Sequence, residues 1–162
     1  MARPDARVLV LGTLPGTMSL AMSQYYAQPR NAFWPIMGAL CGASPALAYR
    51  ERLRVLKKSR IALWDVCHSA YREGALDASI EAQSIVPNDF VPFFRSHRRI
   101  QLICFNGQTA GKLYRRLVLP RLPEQAQQIP QATLPSTSPA HAAMRFEQKL
   151  EHWELVRRSS GA

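Results

Sequence analysis

Two asparagines and one hydroxyl-rich turn are the residues of this sequence best suited to binding and activating a ligand. Asn31 lies inside the aromatic stretch YYAQPRNAFW, Asn106 is followed by glycine, and residues 136–138 read Ser-Thr-Ser. A carboxamide offers both a donor and an acceptor, so it can read the edge of a planar ligand. Short hydroxyls and backbone amides bind phosphate. These groups predict a nucleotide-like ligand rather than chemistry by paired acids.

The motifs of several other chemistries are missing from the sequence. It contains no G-x-G-x-x-G, no G-x-x-x-x-G-K-[ST] and no G-x-S-x-G. Ser19, His68 and Asp65 have the residue types of a hydrolase triad, but nothing in their spacing supports one. The histidines and cysteines show no metal-ligand spacing. We therefore expect neither a metal ion nor a cofactor.

The sequence is strongly basic. Its 162 residues include 21 lysines and arginines against 11 acids, which gives a formal net charge of +10. Such an excess attracts polyanions, and nucleic acid is the first candidate. A solvated arginine-rich surface would give the same composition, so the charge alone names no activity.

The chain is predicted to be a single cytoplasmic domain over residues 1–162. Its length suits one domain, and no linker or low-complexity segment divides it. No apolar run approaches the ~18 residues of a membrane span, and the N-terminus lacks the pattern of a secretory signal. Three widely separated cysteines indicate a reducing compartment rather than a disulfide framework.

Short apolar runs alternate with helical patterns along the chain. Runs that end in polar or turn residues are typical of strands buried on both faces of a parallel sheet. The predicted order β-α-α-β-α-β-α-β-α implies a three-layer α/β/α sandwich with a central four-stranded parallel sheet. The predicted strands are Arg7–Gly12, Arg60–Val66, Arg99–Gly107 and a weaker one at Gln131–Ser138 that Pro135 interrupts.

The predicted helices carry narrow apolar stripes at helical spacing. Asn88 is the predicted N-cap of the helix in NDFVPFFRSH. The last helix has its predicted stripe at Phe146, Leu150, Trp153 and Val156.

Ligands of such a fold bind beyond the carboxyl ends of the strands, where the loops following the strands meet. The four predicted loops begin with GTLPG, DVCHS, NG and LPSTSPAHA. We expect them to form one site. In the second loop, we expect Asp65, Arg72 and Asp77 to support the loop through an ion pair. Contact with DNA is the alternative for this group, and activation of a water is a further alternative for Asp65.

Taken together, these loops resemble the uracil-DNA glycosylase superfamily. LGTLPG, YYAQPRNAFW, FNG and PSTSPAHA occur in the order seen there, from Val8 to about Trp153. The resemblance is closest to the hypoxanthine-DNA glycosylase branch and more distant to the mismatch-specific uracil/thymine glycosylases. It implies an enzyme of base-excision repair whose partner is double-stranded DNA containing a deaminated base, above all hypoxanthine.

Two positions depart from other branches of that superfamily. Leu14 stands where the mismatch-specific branch has a water-holding asparagine, and Leu134 stands where other branches have histidine or asparagine before Pro-Ser. The resemblance therefore assigns catalysis to Asn31, which would hold the attacking water, and to Asn106, which would read the base. It also predicts weak activity on uracil. A helix N-cap is the alternative role for Asn31.

The resemblance also assigns the binding residues. A base flipped out of the duplex would stack on Tyr26, and the hydroxyl-rich turn would grip the flanking phosphates unless it only satisfies its own backbone. The base-binding residues are predicted to be Tyr26, Gly12, Thr13, Leu14, Pro15, Gly16 and Phe33. A position in the hydrophobic core is the alternative for Tyr26 and Phe33. The DNA-binding residues are predicted to be Ser136, Thr137, Ser138, Pro139 and His141.

Three functions stay open on the sequence alone. The first is a monomeric, monofunctional glycosylase that releases hypoxanthine. The second releases uracil or another deaminated base, and the third binds DNA or a nucleotide without turnover, as Leu14 permits. The monofunctional prediction rests on the positions of Lys57, Lys58, Lys112 and Lys149, which all fall on predicted helices away from the site.

Overall fold

A four-stranded parallel sheet forms the centre of the computed structural model, which describes residues 1–72 and 79–161. The strands are β1 (Val8–Gly12), β2 (Ile61–Asp65), β3 (Cys67–Ser69), β4 (Val86–Pro87), β5 (Leu102–Asn106) and β6 (Gln131–Leu134). The parallel sheet has the strand order β2-β1-β5-β6, and β3 pairs with β4 in a separate antiparallel hairpin.

Helices occupy the connections between these strands. They are α1 (Thr17–Met22), α2 (Phe33–Cys41), α3 (Tyr49–Lys58), α4 (Phe90–Ser96), α5 (Gln108–Leu113), α6 (Glu124–Gln127) and α7 (Phe146–Ser160). A π-helical turn, Tyr114–Val118, continues α5, and short 3-10 helices lie at Ala82–Ser84 and Leu119–Arg121. Within the described ranges, no helix has the length and apolar character needed to cross a membrane.

Alternate residues of β1 point into two separate hydrophobic cores. Leu9 and Leu11 pack on one face of the sheet with residues of α4 and α5. Val8 and Val10 pack on the other face with residues of α2, α3 and α7. The predicted three-layer α/β/α sandwich with four parallel strands is therefore confirmed, and so is the double-sided burial that the apolar runs indicated.

Two local predictions about the helices were wrong. The N-cap of α4 is Asp89, whose Oδ1 accepts a hydrogen bond from Val91 N at 3.1 Å, while Asn88 donates from Nδ2 to the Asp65 carbonyl. In α7, Phe146 is 38% exposed, and the buried face instead begins with Lys149 and continues through Trp153. The first apolar residue of that pattern therefore lies outside the core.

The order of the strands fixes where a ligand can enter. From β1, the chain continues to β2 on one side of β1. The later strands β5 and β6 lie on the other side of β1, so the strand order reverses between β1 and β5. Loops separate at such a point and leave a crevice beyond the carboxyl ends of the strands. Gly12 pairs with Asp65 at that edge, and Asn106 pairs with Leu134.

Candidate active site

The carboxyl ends of β1 and β2 bring a glycine, a carboxylate and a phenol together. A Cβ built on Gly12 would lie 2.5 Å from Asp65 Oδ1 and 3.2 Å from the Tyr26 hydroxyl. The two oxygens therefore converge over the Gly12 Cα. Asp65 is buried although it ends a strand. Glycine is required at position 12 because any side chain would occupy the space that these two groups fill.

Aromatic packing fixes the position of Tyr26. Its backbone is in the left-handed region, with φ 53°, and its ring stacks on Phe33 with centroids 4.0 Å apart. Phe33 is fully buried, so it supports the Tyr26 ring from the core. Beside it, Trp34 Nε1 donates to the Tyr25 carbonyl at 2.9 Å, and Tyr25 N donates to the Tyr49 hydroxyl. The dense aromatic content of this segment thus stiffens the wall of the crevice.

The segment from Thr13 to Gly16 continues the wall. The Thr13 carbonyl accepts from Cys67 N at 3.0 Å, and Leu14 packs against the core. Arg72 Nη2 donates to the Pro15 carbonyl at 2.9 Å, which ties the loop after β2 to the loop after β1. Arg72 thus supports these loops through a hydrogen bond to a backbone carbonyl. The expected ion pair stays a prediction, and Asp77 lies outside the described residues.

Asn31 lies just before the helix that carries Phe33. Its Oδ1 accepts a hydrogen bond from the backbone N of Phe33, the first residue of α2, at 3.0 Å, but the N-cap of this helix is Ala32 and not Asn31. A carboxamide oxygen has a second lone pair, and Asn31 Nδ2 has no hydrogen-bond partner within residues 1–72 and 79–161. The same side chain can therefore bond to the first residue of α2 and still bind a water or a ligand.

Asn106 and Thr137 form a closed pair beyond the carboxyl ends of β5 and β6. Asn106 Nδ2 donates to Thr137 Oγ1 at 2.8 Å, and Thr137 N donates to Asn106 Oδ1 at 2.8 Å. Thr137 is only 1% exposed, and its carbonyl accepts from Ala32 N at 2.9 Å. Thr137 therefore joins the segments that carry the two asparagines, and its hydroxyl faces Asn106 rather than a phosphate. One N–H of the Asn106 amide is left over from this pair.

The turn after β6 packs closely on β5 and bonds to itself. Gly107 has φ 100°, and a Cβ there would lie 3.1 Å from Ser136 Cβ. Ser136 Oγ accepts from Ser138 N, and Ser138 Oγ accepts from Ala140 N. The turn thus satisfies much of its own backbone, as the alternative interpretation expected. Pro139 and Ala140 are exposed at its tip, and His141 is half-buried.

Helix α7 holds this turn from below, which the sequence did not indicate. Trp153 Nε1 donates to the Pro135 carbonyl at 3.0 Å, and Lys149 Nζ donates to the His141 carbonyl at 2.9 Å. The expectation that Lys149 lies away from the site was wrong. The sequence indicates this position only through spacing: Lys149 lies four residues before Trp153, and residues four apart share one face of a helix.

Burial and charge shift two titratable groups around the site. Burial raises the pKa of the Tyr25 hydroxyl, and the negative charge of Asp65 raises this pKa further. Burial lowers the pKa of the Lys149 ammonium. Both directions favour the neutral form of a group removed from water. In the described part of the chain, no cluster of three or more His, Cys, Asp or Glu side chains is arranged to hold a metal ion.

Known proteins match this chain along most of its length. The chain matches the family model described as "Uracil DNA glycosylase superfamily" over residues 1–157. It is 36% identical over 154 residues to the hypoxanthine DNA glycosylase of Methanosarcina acetivorans, which covers 94% of this chain and 90% of that protein. The hypoxanthine DNA glycosylase of Methanosarcina barkeri is 36% identical over 109 residues, or 67% and 68% of the two chains. A protein of M. acetivorans solved by solution NMR has a TM-score of 0.79 at 34% identity, covering 99% and 94%.

Proposed function

The chain belongs to the uracil DNA glycosylase superfamily, and we propose that it is a DNA glycosylase that releases hypoxanthine from deoxyinosine in double-stranded DNA. The observation that carries this proposal is the similarity to a hypoxanthine DNA glycosylase over 94% of the chain. The net charge of +10 suits a DNA substrate. We further propose that the enzyme acts as a monomer in the cytoplasm.

The reaction begins with removal of the damaged nucleotide from the base stack. A base inside a duplex is out of reach of an active site, so the nucleotide must be flipped into the crevice. The flipped base stacks on Tyr26, whose ring Phe33 supports from the core. Asp65 is assigned a positioning role, because its carboxylate and the Tyr26 hydroxyl approach the same point above Gly12.

The two asparagines bind different partners. Asn106 donates its remaining N–H to the base, since Thr137 already engages its oxygen and its other N–H. Asn31 accepts a hydrogen bond from the attacking water through the second lone pair of Oδ1. Both segments are joined through Thr137, so the water and the base are held by one connected unit.

Bond cleavage is dissociative in this mechanism. A carboxamide does not titrate near neutral pH, so neither asparagine acts as a strong general base. The glycosidic bond breaks, and the base leaves as an anion stabilised by hydrogen-bond donors. Water then adds to the oxocarbenium-like sugar and loses a proton, and the base anion takes up a proton to become the neutral free base. Catalysis then rests on positioning and on preorganised donors.

The turn after β6 provides the contact with DNA. We propose that Ser136 and Ser138 bind the flanking phosphates and that Pro139 and His141 lie against the gap left by the base. Thr137 contributes indirectly, because its buried hydroxyl holds Asn106. The turn thus remains the proposed contact with DNA, while Thr137 at its centre supports Asn106 instead of binding a phosphate.

Single-turnover excision tests the proposal. Labelled duplexes would carry one deoxyinosine, one deoxyuridine, one deoxyxanthosine or no lesion, and alkaline cleavage would reveal abasic sites. We expect release of hypoxanthine above all, with losses of about 10²–10³-fold in Asn31→Ala and Asn106→Ala. The control is Gln101→Ala, because this carboxamide lies at the opposite edge of the sheet and bonds to the Ser159 carbonyl.

Each other outcome revises a different part of the proposal. Release of uracil alone would keep the glycosylase and change its substrate. Binding without release of any base would leave a DNA-binding protein that lacks turnover. Full activity in both variants would remove the asparagines from the mechanism.

A further inference from the structure

Lys149 is a lysine in the interior of the protein. It is 6% exposed and lies on the buried face of α7 together with Trp153, Val156 and Ser160. The remaining lysines at positions 57, 58 and 112 are half-buried or exposed. Lysine is almost never fully buried unless it is paired, so the burial of Lys149 on this face of α7 is unusual.

The ammonium of Lys149 has a hydrogen-bond acceptor but no counter-charge in the described part of the chain. Its Nζ donates to the His141 carbonyl at 2.9 Å, and no carboxylate of the described residues lies within ion-pair distance. Burial lowers its pKa accordingly. A buried charge without a partner costs free energy in the folded state.

Holding the turn does not by itself require a charge. Trp153, one turn further along α7, donates to the Pro135 carbonyl at 3.0 Å as a neutral group. The two side chains therefore bond to the two ends of the segment 135–141. Trp153 does so through a neutral donor and Lys149 through a charged one. A neutral donor in place of Lys149 would give the same hydrogen bond without the cost of burying a charge.

We propose that Lys149 is a buried cationic support of the DNA-binding turn, fixing the His141 carbonyl and acting through the turn on the phosphates that the turn contacts. This inference rests on the proposed function, because DNA supplies the missing negative charge. The cost of the buried ammonium in the free protein is then offset when phosphates approach the turn. Lys149 is a positioning residue in this account and does not touch the base or the sugar.

Four variants separate the charge from the hydrogen bond. Lys149→Met removes both, Lys149→Gln keeps a neutral donor, and Lys149→Arg keeps the charge. Trp153→Phe is the matched control, because it removes the neutral donor at the other end of the same turn. The probes are two duplexes, one with a tetrahydrofuran abasic analogue and one undamaged, titrated over a range of salt concentrations. Thermal unfolding of each variant is measured alongside.

We expect Lys149→Met and Lys149→Gln to bind both duplexes more weakly, with the slope of log affinity against log salt smaller by up to about one. Lys149→Arg should keep the parental slope. Lys149→Met should unfold at the same temperature as the parent or higher, since the uncompensated charge is gone. Trp153→Phe should unfold at a lower temperature and keep the parental slope.

An unchanged slope in folded Lys149→Met and Lys149→Gln would overturn the proposal, and so would loss of the slope in Lys149→Arg. If Lys149→Met fails to fold, the glutamine and arginine variants decide between the same outcomes. Binding is measured without catalysis, so a protein that binds in the expected way but excises no base would overturn only the proposed function. A protein that excises hypoxanthine with an unchanged slope would overturn only the role of Lys149.

Discussion

At the scale of single residues, the site has no room for a methyl group at Gly12. A Cβ there would lie 2.5 Å from Asp65 Oδ1, so the carboxylate would have to move, and the Cβ would also crowd the Tyr26 hydroxyl. We expect Gly12→Ala to lower single-turnover excision by about 10²-fold, the scale of a 1 Å misplacement in an active site. Circular dichroism and thermal unfolding would check that the variant is folded.

Gly16→Ala is the comparison for this prediction. The same methyl group meets nothing within 4 Å at position 16, and the backbone there has φ −72°, which any residue adopts. Its loss of activity should be much smaller. Equal losses in the two variants would mean that crowding of Asp65 and Tyr26 is not the cause.

Asn31 has a structural role that can be separated from its proposed chemistry. A serine hydroxyl can accept a hydrogen bond at a helix start as asparagine does, so Asn31→Ser should keep the stability of the parent, whereas Asn31→Ala should lose about 1 kcal/mol. Both variants should lose excision, since the shorter hydroxyl cannot hold water where Oδ1 does. Urea unfolding and single-turnover rates measure the two effects. An active Asn31→Ser enzyme would show that the residue only supports the start of α2.

The sequence was a good guide to residues that follow a strand or belong to a rigid motif. Asn31, Tyr26 and Asn106 are examples, because their neighbours in the sequence determine where they lie. It was a poor guide to Thr137 and Lys149. The burial of Thr137 depends on Asn106, 31 residues away, and the reach of Lys149 depends on how α7 packs under the turn. The first relation leaves no local pattern, and the second leaves only the four-residue spacing between Lys149 and Trp153.

At the scale of elements, the π-helical turn after α5 places a phenol in the core. Tyr114 is fully buried and packs on Phe90 and Phe105, and its hydroxyl has no hydrogen-bond partner among the described residues. Burial raises the pKa of this group. Since an unsatisfied buried hydroxyl costs free energy, Tyr114→Phe should raise the free energy of unfolding by about 1 kcal/mol.

Tyr49→Phe provides the opposite case. The Tyr49 hydroxyl accepts from Tyr25 N at 3.0 Å, so its removal should lower the free energy of unfolding by about 1 kcal/mol. Urea titrations of both variants give the comparison. A loss of stability in Tyr114→Phe as large as that in Tyr49→Phe would show that the Tyr114 hydroxyl is satisfied in solution.

The elements themselves were predictable where burial gives a clear pattern. All four strands of the parallel sheet lie within the predicted ranges, and β6 ends at Leu134 because Pro135 has no N–H to continue the ladder. The hairpin of β3 and β4 was missed since three and two residues are too short to show alternation. Helix α1 was missed because it has no buried face, and Met18, Leu20 and Met22 are all exposed.

At the scale of the whole molecule, a buried thiol makes the free energy of unfolding depend on pH in the alkaline range. Burial in the central sheet raises the pKa of Cys104 from 9.0 to about 12. Between these values the unfolded chain ionises the thiol while the folded chain keeps it protonated. The unfolded state therefore binds fewer protons, and the free energy of unfolding falls as pH rises. This part of the stability is fully present below pH 9 and is lost towards pH 12.

Urea unfolding of the parent and of Cys104→Ala between pH 8 and about 10.5 checks this expectation. The parent should lose up to about 1.4 kcal/mol more per pH unit above pH 9 than the variant does. The comparison uses the slopes, because the alanine also leaves a cavity that lowers stability at every pH. Identical slopes would mean that the Cys104 thiol ionises equally well in the folded protein.

The bond between Ala32 N and the Thr137 carbonyl joins residues that are far apart in the chain, and Asn106 meets Thr137 from a third position. During synthesis, a ribosome releases the segment around Asn31 long before the turn after β6 exists. Domains fold as units once their later segments are available, and distant contacts are slow to close. A growing chain therefore has both asparagines well before Thr137 can join them, and the proposed site is complete only after the turn that follows β6 and helix α7 have been made.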